Sequence, residues 1–186
     1  MRLFVAIQPP VAVLEELESR VAPLRPAWPG LRWTSQAAWH VTLAFLGEVS
    51  DAAATALEPR LERAAHRHPC LMLSVSGAGA FPGQARAQVL WTGIRADQRA
   101  LARLADSVAA GARRAGALPP DKGRPRRFRP HLTLARAGAP TDVRPVVELL
   151  HDYAGTGWTA SEIHLIRSRL HHEPRYETMG TWPLRC

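Results

Sequence analysis

Cysteine is scarce. The 186 residues contain two, Cys70 and Cys186, and neither sits in a C-x-x-C pair. A disulfide scaffold and a thiolate zinc site are therefore not expected. Lysine is almost missing: Lys122 is the only one among 24 basic residues, so the cations are nearly all arginine. Long apolar runs are absent too, and no stretch approaches the ~20 residues that a membrane span needs. The opening "MRLFVAIQPP" has one arginine and too short an apolar run for a secretory signal. There is no glycine-rich dinucleotide fingerprint and no low-complexity segment. What remains is the expectation of a soluble, cytoplasmic protein with no membrane partner.

The basic residues outnumber 16 acidic ones, for a formal net charge of +8 and a pI near 11.0. Such a balance favours polyanionic partners such as RNA. The near-exclusive use of arginine in an Ala-, Pro- and Gly-rich chain fits codon bias equally well, so local clustering is the better guide. The tightest cluster is "RPRRFRP", residues 124–130, inside the Pro-rich basic loop 119–130. Arginines around an aromatic suit RNA phosphates and base stacking, which makes Arg126, Arg127 and Phe128 candidates for substrate contact. A solvated connector is the alternative.

Strand and helix patterns alternate along the chain. "RLFVAIQ" (2–8) is a strand closed by Pro9 and Pro10, and a helical spacing of apolar residues runs from Val11 to Leu24. Ser50 and Asp51 can cap a helix carrying Leu57 and Leu61, with Pro59 marking a kink or a late start. "LMLSVSG" and "AQVLWTGI" read as strands. Asp97 opens a helix stopped by Gly116, and Thr141 with Asp142 can cap another. "EIHLIRSRL" and "YETMGTWPL" look like a closing pair of strands.

One phrase occurs twice. "HVTLAFLG" begins at His40 and "HLTLARAG" at His131, with five of eight positions identical. A single duplication fits this better than a solenoid, and predicts one domain, 1–186, of two similar lobes. On a strand, His40 and Thr42 share a face while Val41 and Leu43 share the other, and the same holds for His131 and Thr133. Two imidazoles meeting across a cleft can work as a general acid and a general base near neutral pH. The threonine hydroxyls can hold an anion between them. In-line attack at phosphorus needs a base on one side and an acid on the other, and a protonated leaving oxygen removes the need for a metal. A lone histidine in an apolar strand is usually structural, but strand propensity does not call for the same H-x-T-L-A twice. Two histidines with hydroxyls lack a third good zinc ligand. The histidines outside the two phrases read as surface or structural groups.

The doubled H-x-T phrase resembles the two-histidine phosphoesterase superfamily. With "RLFVAI", "HVTLAFLGEV", "GAGAFPGQARAQVLWTGI", "FRPHLTLAR", "LIRSRL" and "Y…TWPL", the chain resembles in particular the RNA 2′,3′-cyclic phosphodiesterases, also called 2′-5′ RNA ligases. The resemblance implies a bilobal α+β fold, two antiparallel-rich sheets with outer helices around a central cleft. It implies that His40 and His131 are catalytic and that Thr42 and Thr133 bind phosphate. The implied reaction opens a 2′,3′-cyclic phosphate on RNA to a 2′-phosphomonoester, with 2′-5′ joining as a second activity. His131 is assigned the proton acceptor and His40 the proton donor, although two near-identical phrases do not themselves separate the roles. Arg136 matches the arginine of the second phrase, but strict alternation puts it opposite His131, so a bulge must turn it. Phe4 matches the first strand and could stack on a base. No cofactor and no metal are expected, the partner is RNA ending in a 2′,3′-cyclic phosphate, and the chain is expected to act as a monomer. Two alternatives stay open: a cyclic phosphodiesterase for a small nucleotide such as ADP-ribose cyclic phosphate, and a non-catalytic RNA-binding module.

Overall fold

A computed structural model describes residues 1–120, 128–169 and 175–186. The fold is α+β, with two antiparallel sheets. Strands β1 (Arg2–Ile7), β3 (Val41–Glu48), β8 (Glu162–Ser168) and β9 (Tyr176–Pro183) form one sheet in the order β3-β1-β8-β9. Strands β2 (Leu31–Trp33), β4 (Leu71–Phe81), β5 (Ala87–Arg95), β6 (His131–Thr141) and β7 (Trp158–Ala160) form the other in the order β2-β6-β5-β4-β7. Each sheet therefore receives one of the two repeated phrases, the first on an edge strand and the second inside its sheet.

Helices α1 (Val11–Val21), α2 (Asp51–His66), α3 (Gln98–Arg114) and α4 (Arg144–Leu149) cover the outer sheet faces. Their apolar stripes, such as Leu101, Leu104, Val108 and Ala112 of α3, join residues of both sheets in one continuous core. The caps follow local chemistry. Ser50 accepts a hydrogen bond from the Ala53 N–H, and Asp97 accepts from the N–H groups of Arg99 and Ala100. Gly116, with φ +73°, takes the left-handed conformation that ends α3.

Four details differ from the expectations. Helix α2 begins at Asp51 and continues through Pro59, held by its buried face of Leu57, Leu61, Ala64 and Ala65, so there is no late start. Helix α4 is only six residues long and has no side-chain cap on its N-cap Val143. Asp142 instead accepts from the Arg144 N–H and pairs with the Arg144 guanidinium, while Thr141 donates to the Ala139 carbonyl. The short strand β7 carries no alternation long enough to be read from sequence. Finally, Cys70 and Cys186 form a disulfide, with Cα atoms 5.1 Å apart. This corrects the expectation drawn from cysteine spacing. The two are 116 residues apart, and what brings them together is backbone pairing: Cys70 N–H donates to the Arg185 carbonyl and Arg185 N–H to the His68 carbonyl. No described helix is long and apolar enough to cross a membrane.

Candidate active site

The first sheet has two faces. Leu3, Val5 and Ile7 of β1 enter the main core, while Phe4 and Ala6 point the other way and cluster with Ile166 and Tyr176. His40, the residue just before β3, lies on this second face. Its ring stacks on Phe4 at 4.5 Å and meets the edge of Tyr176 at 5.3 Å. Thr42 is the cross-strand partner of Ala6, so it shares that face.

The second sheet offers the matching arrangement. Val89, Trp91 and Gly93 of β5 alternate with the buried Leu90, Thr92 and Ile94. Gly93 pairs with His131, Trp91 with Thr133 and Val89 with Arg136. All three β6 residues therefore lie on one face. Leu134 is the extra residue of a bulge, because the pairing steps from Trp91↔Thr133 to Leu90↔Ala135. Leu134 and Ala135 are both buried, and the bulge returns Arg136 to the side of His131 and Thr133. Strand β3 repeats the device. Its pairing passes from Ala6↔Thr42 to Val5↔Ala44 and then Phe4↔Phe45, which puts Phe45 on the face of Thr42 with 68% of its surface exposed. The L-A step of the duplicated phrase is thus a bulge in both lobes, and the residue after it, Phe45 or Arg136, is turned to the face of the histidine.

A short hydrogen-bond path joins the two phrases. The indole of Trp39, adjacent to His40 and buried in the core, donates to Thr34 Oγ1 at 2.9 Å. Thr34 Oγ1 in turn lies 2.7 Å from the Thr133 carbonyl and 2.9 Å from the Leu134 carbonyl, to which it donates. The Thr34 N–H also donates to Leu134 O. Two side chains therefore fix the start of the first phrase against the bulge of the second.

Aromatic walls set the electrostatics. His131 meets the edge of Phe81 at 5.1 Å and lies 6.1 Å from Trp91, whose ring is laid across the bare Cα of its partner Gly79. Burial holds the His40 pKa down at about 4. Burial also lowers His131, with a further push down from the Arg136 guanidinium and an opposing pull from the Arg129 carbonyl. Both imidazoles are therefore neutral at pH 7. His131 Nδ1 lies 2.6 Å from the Arg129 carbonyl. That bond requires the proton on Nδ1 and leaves Nε2 as a free acceptor.

His40 and Thr42 share a face of the first sheet, and His131, Thr133 and Arg136 share a face of the second. Phe4 is 4% exposed and forms the floor under His40. Phe128 is half-buried and packs against the main core. Arg126 and Arg127 lie outside the described residues. His164 is buried and satisfied by Thr181 Oγ1 at 3.1 Å and by Glu162, and His68 Nε2 lies 2.8 Å from Ser107 Oγ; both serve as structural groups. Among the described residues, no three His, Cys, Asp or Glu side chains group to hold a metal. Sequence reasoning missed Tyr176, Phe81, Trp91 and Phe45. Phe45 had a signal in its place in the duplicated phrase, while Phe81, Trp91 and Tyr176 lie in the stretches that carry the family resemblance without any pattern that points to His40 or His131.

The sequence model of the 2′-5′ RNA ligase superfamily matches residues 9–172. A curated Escherichia coli protein described as RNA 2′,3′-cyclic phosphodiesterase is 33% identical over 98% of this chain and 96% of its own length. A protein of Aeropyrum pernix with the same description is 33% identical over 69% of this chain and 70% of its own. The crystal structure of Escherichia coli LigT complexed with 3′-AMP superposes with a TM-score of 0.75 at 29% identity, covering 98% of this chain and 97% of that one. The match of that family model to residues 9–172, with 33% identity to the Escherichia coli protein over 98% of the chain, places this chain in the 2′-5′ RNA ligase superfamily.

Proposed function

We propose that this protein is an RNA 2′,3′-cyclic phosphodiesterase, a hydrolase that opens the cyclic phosphate at an RNA 3′ end to a 2′-phosphomonoester. The observation that carries this reading is the pair of H-x-T phrases, one per sheet, tied together through Trp39 and Thr34. In the reaction, His131 Nε2 takes a proton from water, which attacks phosphorus as the bond to O3′ breaks. His40 gives a proton to O3′ on the opposite side. The Thr42 and Thr133 hydroxyls and the Arg136 guanidinium stabilise the charged phosphoryl oxygens. The Arg129 carbonyl supports this assignment, because it holds the His131 tautomer that a base requires. His40 is neutral in the free protein, and the bound phosphodiester anion favours its protonated form. Phe4 and Tyr176 fix the plane of that ring. Because histidines move both protons, the reaction proceeds without a metal. The two lobes act as one domain, 1–186, related by the repeated phrase, in a cytoplasmic monomer. The test is product analysis with an oligonucleotide ending in 2′,3′-cyclic phosphate, in EDTA. The expected product is the 2′-phosphate. A 3′-phosphate, or activity lost to chelator and restored by zinc, would refute the reading.

A further inference from the structure

Arg32 and Arg136 are direct cross-strand partners of β2 and β6. Both are exposed, and neither has a hydrogen bond or ion pair among the described residues. Like charges directly opposite each other in a sheet are destabilising. The two line a pocket of about 240 Å³ with Gln88, Val89 and Gly138. The pocket lies on the same face as His131 and Thr133, one row further along β6. By strand geometry its row lies about 13 Å along the backbone from the row of His131, two double-residue steps of the strand. The pocket thus extends beyond the seat of the phosphate under attack and adjoins it through Arg136, whose charge acts on His131.

We propose that this pocket is a second anion subsite, which holds the phosphodiester one nucleotide upstream of the cyclic phosphate. The inference rests on the function proposed above. Two guanidinium groups converging on one pocket match a phosphate in geometry and charge, and a bound phosphate turns their repulsion into attraction. Arg136 then spans the two sites, and Arg32 reads the chain beyond the terminal nucleotide. A cyclic mononucleotide has no group for this pocket; an RNA end does. The subsite thus favours an RNA end over a free cyclic nucleotide.

The experiment compares three substrates: a 2′,3′-cyclic mononucleotide, a dinucleotide ending in 2′,3′-cyclic phosphate, and the same dinucleotide with a neutral methylphosphonate linkage. In Arg32→Gln the dinucleotide-to-mononucleotide ratio of kcat/KM should fall on the order of tenfold, the scale of one lost hydrogen bond to a charged group. The neutral linkage should produce a similar fall in the wild type and no additional fall in the variant. The salt dependence for the charged dinucleotide should become shallower by about 0.7 in log–log slope, one phosphate contact on a single strand. Equal losses on all three substrates, or no loss, would overturn the subsite. Should Arg32→Gln fail to fold, the wild-type comparison of charged and neutral linkages decides alone. Wild-type turnover of the mononucleotide reports separately on the function itself, so a failure there is not mistaken for a failure of the subsite.

Discussion

Replacing His40 by phenylalanine should make the protein less sensitive to acid. His40 has no hydrogen-bond partner among the described residues, and its ring is enclosed by Phe4 and Tyr176. Burial therefore holds its pKa at about 4 in the folded state, against 6.5 for the ordinary imidazole. The folded pKa is the lower one, so between pH 6.5 and 4 the unfolded chain binds more protons. Stability is then lost as pH falls through that window. At 1.36 kcal/mol per unit, the loss from this one group is about 3 kcal/mol by pH 4. Phenylalanine keeps a ring on Phe4 and removes the titration. Other groups, including His131, His68, His164 and Asp142, also have shifted pKa values, but they are common to both proteins and cancel in the comparison. Urea denaturation at pH 7 and pH 4 gives four free energies. The wild type should lose about 3 kcal/mol more than His40→Phe on acidification. Equal losses would mean that His40 is hydrated and titrates normally, and would remove the argument for a desolvated imidazole.

On the proposed mechanism, the same two histidines should set the pH profile. kcat/KM reports the free protein, where one imidazole must be protonated and the other neutral, and both pKa values lie below 6.5. The maximum of kcat/KM should fall below pH 6.5 and decline above it, and a maximum near pH 8 would contradict the electrostatics. Thr34→Val removes the hydroxyl between Trp39 and the second phrase and strands a buried indole N–H. It should destabilise the protein by about 1–3 kcal/mol in urea titrations and lower kcat; an unchanged midpoint would show the link to be idle.

Much of this site was legible because strand geometry is simple over short spans. Alternation alone put His40 with Thr42 and His131 with Thr133. It failed one step later, after Leu43 and Leu134, because a bulge is a property of the partner strand as much as of the sequence. Arg136 needs such a bulge to reach the face of His131, and the same reasoning applied to the first phrase turns Phe45 outward. The aromatic walls were harder. Trp91 and Phe81 meet His131 through cross-strand register, and Tyr176 reaches His40 from a distant strand, so no local pattern announces them. The disulfide and the passage of α2 through Pro59 escaped for the same reason. Tertiary pairing decided both, the first by joining the chain's end to the entry of β4, the second by the buried face of the helix.

The central claim is that two imidazoles share the proton transfers. Its most direct test is single-turnover hydrolysis of an RNA end by His40→Ala and His131→Ala, measured beside RNA affinity and thermal melting. The account predicts that each variant folds, keeps its RNA affinity and loses turnover by on the order of 100-fold or more. Near-native turnover in either variant would contradict it.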